Sequence, residues 1–293
     1  MLPQPIDAHT VLFGVFGDPV AHSQSPRMLN RAFAETGIGG VYVAFHVLPT
    51  ELPNAVYGIR ALGLRGVNVT IPHKVHVMAH LDEVDESARA IGAVNTIVNH
   101  EGRLIGYNTD GIGYVRSLRE EAGFDPAGKR IVVLGAGGAA RGIVWALARE
   151  QAAEIVIVNR TAERAVELAE SFGEPERVRG CGSDGAEAAL AGAELVVNTT
   201  RAGMHPDVEE SPLTRSLLHP GLLVSDIVYN PRETQLLKDA LAAGCRVHGG
   251  LGMFVHQGAY AFELWTGAQA PVQAMRDEVE AALAAKINVI SKE

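Results

Sequence analysis

The chain has 293 residues, of which 47% are hydrophobic and 20% charged, a usage that excludes wholesale disorder and a disulfide-stapled miniature and leaves room for two domains of ordinary size. Lys and Arg total 25 against 34 Asp and Glu, for a net charge of −9, which argues against a broad basic surface for nucleic acid or anionic lipid. The two cysteines, Cys181 and Cys245, fit neither a CxxC motif nor a zinc knuckle and give no disulfide framework, so a reducing compartment is expected.

The first residues, with Asp7 and His9 among them, lack the basic and apolar regions of a secretory signal, and no apolar run reaches the ~18 residues of a bilayer span, so a cytoplasmic location is expected. Short β-branched runs then recur at residues 11–16, 41–47, 66–70, 93–98, 131–134, 155–158, 195–198 and 224–229, separated by helical stretches. This alternation predicts an α/β fold whose sheet is mainly parallel and covered by helices. Ser25 before Pro26 predicts the N-cap and first position of a helix running to about Gly37. Glu101-Gly102 interrupts two extended runs and predicts a hairpin or tight return. A helix over 111–122 and a turn-rich linker over 123–128 would precede a second domain opening at the strand from Ile131. The amphipathic stretch 274–286 predicts a last helix that packs back on an earlier domain.

The strand over 131–134 leads directly into Gly135, Ala136, Gly137, Gly138, Ala139 and Ala140, followed by an apolar helix. This is the GxGxxA form of the dinucleotide fingerprint: Gly135 for a tight turn, Gly137 for close approach of a pyrophosphate, and Ala140 for helix packing. The helix N-terminus adds amide donors and a positive dipole. A second strand over 155–158 leads to Asn159, where the ribose-reading residue is expected. Asn159, Arg160, Thr161 and Arg164 stand there instead of an acid, and two guanidinium groups suit a 2′-phosphate, so NADP is expected over NAD.

Polar clusters in the first half terminate apolar strands. Ser23 and Ser25 flank a helix start in a pattern suited to a carboxylate, although N-capping alone would use one serine. Asn68 and Thr70 share one strand face by the period of two, and Pro72 ends that strand beside Lys74. A single lysine is usually solvated, but these neighbours favour a functional one. Asn95 and Asp110 likewise follow extended runs and are able to hold hydroxyls or orient an ammonium.

Taken together, these motifs resemble the shikimate dehydrogenase family over nearly the whole chain. The likeness rests on Ser23-Gln-Ser25-Pro26, Asn68-Val-Thr-Ile-Pro-His-Lys74, Gly92-Ala-Val-Asn-Thr96, Asn108-Thr-Asp110-Gly111, Gly135-Ala-Gly-Gly-Ala139, Asn159-Arg-Thr161, Gly203-Met204, and Gly250-Leu-Gly-Met253 through Gln257. The resemblance implies a three-layer α/β substrate domain over 1–110 plus 251–293 and a Rossmann-type NADP domain over 111–250. It implies NADPH-dependent reduction of 3-dehydroshikimate to shikimate, on the route to chorismate and the aromatic amino acids. Lys74 and Asp110 would be catalytic, with Lys74 as acid/base. Ser23 and Ser25 would bind the carboxylate, and Asn68, Thr70, Asn95, Tyr229 and Gln257 would serve the ring hydroxyls. On the cofactor side it implies Gly135 to Ala139 at the pyrophosphate, Asn159, Arg160, Thr161 and Arg164 at the adenosine phosphate, and Ile227, Gly250 and Met253 along the cofactor. Arg201 departs from the family, which more often has a small or neutral residue there.

Two alternatives bear on function: a quinate/shikimate dehydrogenase of the same family, against whose NAD-using form Arg160 and Arg164 weigh, and a non-catalytic NADP sensor, against which Lys74 and Asp110 weigh. His73, His76 and His80 could share a helix face, but no HExxH or carboxylate partner accompanies them, and no metal is expected. The expected partner is a small-molecule substrate rather than nucleic acid or membrane, with the chain a monomer or homodimer.

Overall fold

The structure, a computed structural model, describes residues 6–290 and side chains through residue 285; positions 1–5 and 291–293 of the expected substrate domain lie outside these. The chain divides into two compact units. One comprises the chain up to Thr109 and again from Val255, and the other is Asp110–Phe254. The expected divisions follow residues 110 and 250, whereas the second observed one falls inside a helix, a place that no turn residue marks in the sequence.

The first unit opens with β1 (Val11–Gly17), α1 (Ser25–Thr36), β2 (Gly40–His46), α2 (Leu52–Ala61), β3 (Gly66–Val69), β4 (Glu83–Val84), α3 (Glu86–Ile91), β5 (Thr96–His100) and β6 (Arg103–Tyr107). Its sheet has the order β2-β1-β3-β5-β6-β4. β1 runs parallel to β2 and β3, while β5 is antiparallel to both β3 and β6, so this sheet is mixed. The reversal is made at Glu101 and Gly102, whose φ of 54° and 90° are the two left-handed positions that a type I′ turn requires.

The helix expected at Ser25 starts one residue earlier than the sequence suggests. Gln24 is the N-cap, Ser25 is the first helical residue, and Gly37 closes the helix at φ 71°. The Ser25 amide donates to Ser23 Oγ at 3.2 Å, so it is Ser23 that satisfies an orphan donor at this helix start.

Alternating side chains cover both faces of this sheet. Val67, Val69 and Ile97 pack with Leu52, Val56 and Ile59 of α2. Elsewhere in the unit Phe13 stacks on Phe33 at 4.7 Å and lies 5.3 Å from Trp265. The Trp265 Nε1–H donates to the Ile97 carbonyl at 2.9 Å, and a Cβ on Gly66 would lie 2.1 Å from that nitrogen. Glycine at 66 is what lets the indole reach the sheet.

The second unit contains α4 (Asp110–Ala122), β7 (Arg130–Leu134), α5 (Gly138–Arg149), β8 (Glu154–Val158), α6 (Ala162–Glu170), β9 (Val178–Cys181), α7 (Ala186–Leu190), β10 (Leu195–Asn198), β11 (Leu223–Asp226), α8 (Gln235–Ala242) and β12 (Arg246–His248). Its strands are all parallel, in the order β12-β11-β10-β7-β8-β9. This is the doubly wound Rossmann order, with its switch point between β7 and β10. Ile131 and Val133 pack toward α4, α5 and α6, while Val132 and Leu134 pack toward α7 and α8. A strand buried on both faces reads as a continuous apolar run, as this one does.

Two last helices complete the chain, α9 (Leu251–Thr266) and α10 (Val272–Ile290), and α10 packs on α1 within the first unit. The extended run expected over 224–229 stops at Asp226, because the Val228 amide turns back to the Asp226 carboxylate at 3.0 Å. β4, β9 and β12 escaped the sequence pattern because each is short and carries charged or small residues in place of a β-branched run.

Candidate active site

In the first unit two of the sequence-predicted polar residues, Asn68 and Asn95, are joined through buried hydrogen bonds. The Tyr42 hydroxyl donates to Asn68 Oδ1 at 2.7 Å. Asn68 Nδ2 donates to Thr96 Oγ1 at 3.0 Å and to the Asn95 carbonyl at 3.2 Å. Asn95 Nδ2 reaches Thr109 Oγ1 at 3.0 Å, and the Thr109 amide returns a bond to Asn95 Oδ1 at 2.9 Å. Such a network fixes each amide's orientation because a misplaced buried dipole goes unsatisfied. Burial pushes the Tyr42 phenol well above its usual range, with the Ser25 hydroxyl opposing that shift as a hydrogen-bond partner. Tyr42 therefore remains a donor at any working pH and ties β2 to the start of α1 and to Asn68.

Thr70 extends β3 by one rung, its amide donating to the Phe16 carbonyl at 2.9 Å. Its carbonyl accepts from His73 at 2.9 Å, and the Lys74 carbonyl accepts from Val94 at 2.8 Å. The backbone of Lys74 is thus pinned one residue from Asn95, with its side chain half-buried. His73 is buried and its Nε2 bonds the Val47 carbonyl at 2.7 Å, a structural role. Gln257 is half-buried on α9.

In the second unit Gly135 follows β7 with φ 105°, and a Cβ there would lie 2.7 Å from Thr199 Oγ1. Gly137 is the N-cap of α5, with no side-chain cap, and a Cβ on it would meet nothing within 4 Å. An uncapped helix N-terminus behind an open glycine fits a pyrophosphate. Gly138 and Ala139 open α5 behind this turn, with Ala136 packed against the core.

Asn159 directly follows β8, its Nδ2 donating to the Thr161 carbonyl at 2.9 Å, and Thr161 is the N-cap of α6. Arg160 and Arg164 are exposed, and among the described residues neither pairs with a carboxylate. Two guanidinium groups left to solvent at the ribose-reading position fit a 2′-phosphate. Arg201 is also exposed, on the loop after β10. Among the described residues no three His, Cys, Asp or Glu side chains could together hold a metal ion.

Asp110 is buried at the first position of α4. Tyr229 stacks on Phe254 with ring centroids 4.2 Å apart. Met253 lies in the apolar core of the second unit and Ile227 packs at its margin, whereas a Cβ on Gly250 would lie 2.2 Å from the Ile227 carbonyl oxygen. Ile227, Gly250 and Met253 therefore belong to one neighbourhood.

Two groups of buried, hydrogen-bonded polar side chains escaped the sequence reading. Tyr42 was unremarkable inside an apolar run, its hydroxyl invisible as a partner of Asn68. Asn198, Asp226 and Thr234 are fully buried and joined by hydrogen bonds. The only available signal was a carboxylate ending a strand of otherwise buried residues.

Comparison with known proteins gives the family. The chain matches the family models described as shikimate dehydrogenase substrate binding domain over residues 15–97, shikimate/quinate 5-dehydrogenase over 118–239, and shikimate 5′-dehydrogenase C-terminal domain over 250–280. It is 52% identical to the NADP(+) shikimate dehydrogenase of Geobacillus kaustophilus (strain HTA426) over 93% of this chain and 98% of that one. It is 50% identical to that of Methanopyrus kandleri over 94% of this chain and 96% of the relative. A crystal structure of a shikimate dehydrogenase in complex with NADP+ superposes with a TM-score of 0.90 at 42% identity, covering 97% of this chain and 99% of that one. With three family models along its length, relatives at half identity and a matching solved fold, the chain belongs to the shikimate dehydrogenase family.

Proposed function

We propose that this chain catalyses the reversible NADPH-dependent reduction of 3-dehydroshikimate to shikimate, a reading supported by relatives named shikimate dehydrogenase (NADP(+)). The observation that carries the reading is the pinned Lys74, whose carbonyl accepts from Val94, the residue before Asn95, while Asn95 and Asn68 share one buried hydrogen-bond network. The polar cluster of the unit up to Thr109 and from Val255 is assigned to the substrate, and the glycine loop of Asp110–Phe254 to the cofactor.

When bound, NADPH supplies a hydride to the ring carbonyl carbon, and negative charge develops on the carbonyl oxygen. A protonated Lys74 stabilises that charge and delivers its ammonium proton to the oxygen, leaving a CH–OH and a neutral amine that is reprotonated from solvent. Ser23 and Ser25 at the start of α1 hold the carboxylate. Asn68, Thr70, Asn95 and Gln257 are assigned to the ring hydroxyls, and Asp110 and Tyr229 to the substrate as well. Gly135 to Ala139, Asn159 to Arg164, and Ile227, Gly250 and Met253 hold the cofactor. The two free thiols, Cys181 and Cys245, support a cytoplasmic setting, and no described helix is long and apolar enough to cross a membrane. Light scattering distinguishes a monomer from a homodimer.

Turnover followed at the reduced-nicotinamide absorbance, crossing shikimate and quinate with NADP and NAD, tests the assignment. Shikimate with NADP should be preferred, and Lys74→Ala should lower kcat by about 10²-fold or more with the fold intact. Equal turnover of quinate would identify the broader dehydrogenase. NADP binding without turnover would identify a sensor.

A further inference from the structure

We propose that Asp226 is the positioning residue of the cofactor edge in the second unit: its buried carboxylate ties the loop after β10 to the loop after β11 and thereby sets how tightly NADP is held. The proposal rests on reading that edge as the NADP site.

The side chain is fully buried and its two oxygens serve three different segments. Oδ1 accepts from Asn198 Nδ2 and from the Val228 amide, both at 3.0 Å. Oδ2 accepts from the Thr234 hydroxyl at 2.7 Å, and Thr234 is the N-cap of α8. Asn198 passes the constraint onward. Its Oδ1 accepts from the Thr200 amide at 2.9 Å and the Thr200 hydroxyl at 2.7 Å, and its Nδ2 also reaches the Ala202 carbonyl at 3.4 Å. Thr199 donates to the Leu134 carbonyl at the end of β7 through both its amide, at 2.9 Å, and its hydroxyl, at 2.6 Å.

The consequence is a continuous path from Asp226 to the glycine loop. A Cβ on Gly135 would lie 2.7 Å from Thr199 Oγ1 and 3.1 Å from Thr200 Cγ2, so the loop after β10 is the wall against which that turn is built. On the other side, the Val228 bond bends the chain out of β11 at Ile227, whose carbonyl backs directly on Gly250. β10 and β11 are neighbouring parallel strands, so both loops leave the C-terminal edge where a doubly wound sheet takes its ligand. A carboxylate with two oxygens is the smallest group that can accept from all three donors; an amide in its place must present an N–H to one of them.

The test compares the full-length chain with Asp226→Asn and Asn198→Ala, measuring NADP affinity by calorimetry, kcat and KM for each substrate, and stability by urea unfolding. Asp226→Asn should weaken NADP binding by about tenfold, raise the KM for NADP in step, and leave the KM for shikimate within about twofold. A variant that loses stability but keeps the NADP affinity and kinetic constants of the parent overturns the proposal, because that is what a purely structural carboxylate predicts. If Asp226→Asn does not fold, Asn198→Ala carries the decision, since it cuts the link from Asp226 through Asn198 to Thr200 and Ala202 and leaves Asp226 bonded to Val228 and Thr234. It should weaken NADP binding about fivefold, and unchanged affinity overturns the proposal. A parent chain that binds no NADP overturns the functional reading itself, whereas normal parent binding with unshifted variants overturns the positioning role alone.

Discussion

The Tyr42 hydroxyl and the Asn68 side chain meet at 2.7 Å in a place where both residues are buried, so one phenol decides which way the Asn68 amide faces. With Oδ1 occupied by Tyr42, Asn68 Nδ2 is directed at Thr96 and the Asn95 carbonyl. Tyr42→Phe removes the donor and leaves Oδ1 buried without it, a loss of roughly 1–3 kcal/mol. The unfolding midpoint should fall and the KM for shikimate should rise about threefold with kcat nearly unchanged, since the remaining bonds hold Asn68 only loosely. A stability loss with an unaltered shikimate KM would remove Asn68 from the binding site.

The two fingerprint glycines make opposite predictions. Gly135 has φ 105° and no room for a Cβ beside Thr199, whereas Gly137 has open space where a Cβ would go. Gly135→Ala should therefore destabilise the fold by about 1–3 kcal/mol. Gly137→Ala should leave the melting temperature alone and lower NADP affinity by about tenfold or more. Calorimetric unfolding and NADP titration separate the two. A Gly137→Ala variant with parental affinity would rule out close approach of the pyrophosphate at that residue.

Much of this was legible in the sequence for a physical reason: strands buried on both faces, such as β7 and β8, must read as unbroken apolar runs, and a tight turn with an open face must be glycine. The hairpin at Glu101-Gly102 was legible because a two-residue return needs left-handed positions. What stayed hidden depends on partners remote in sequence. Tyr42 and Asn68, or Asp226 and Thr234, carry no pattern until folding brings their atoms together. Short edge elements such as β12 are held by neighbours rather than by their own composition. α1 starts one residue before the position that Ser25-Pro26 suggests, and Ser23, rather than Ser25, accepts the orphan amide.

Cofactor choice should reside in the pair Arg160 and Arg164, both exposed and without a carboxylate partner among the described residues. Each offers a charge-assisted bond to a 2′-phosphate, worth roughly 1.5–3 kcal/mol. Replacing both with alanine should lower kcat/KM for NADP by about 10²-fold or more while kcat/KM for NAD changes by less than about threefold. Because the contacts are electrostatic and exposed, the parent preference for NADP should also shrink as salt is raised. Equal losses with both cofactors would place these arginines on a shared part of the dinucleotide instead.

Asp226 also predicts how stability changes with pH. Burial raises its pKa from 3.8 to about 6, against the opposing hydrogen bonds from Thr234, Val228 and Asn198. The folded chain therefore holds this proton more tightly than the unfolded chain. The stability gained from that proton is complete below the unfolded value and is lost as the pH rises through about 6. A difference of about two pKa units corresponds to roughly 3 kcal/mol. Asp226→Asn has no proton to lose at this site and should lack this component. Urea unfolding of both proteins at intervals from about pH 4 to about pH 7 should then show the parent losing stability relative to the variant as pH increases, with the gap constant above the raised pKa. A parent-to-variant difference that stays flat across the window would mean that Asp226 is already ionised at the acid end, with its three donors outweighing the cost of burial.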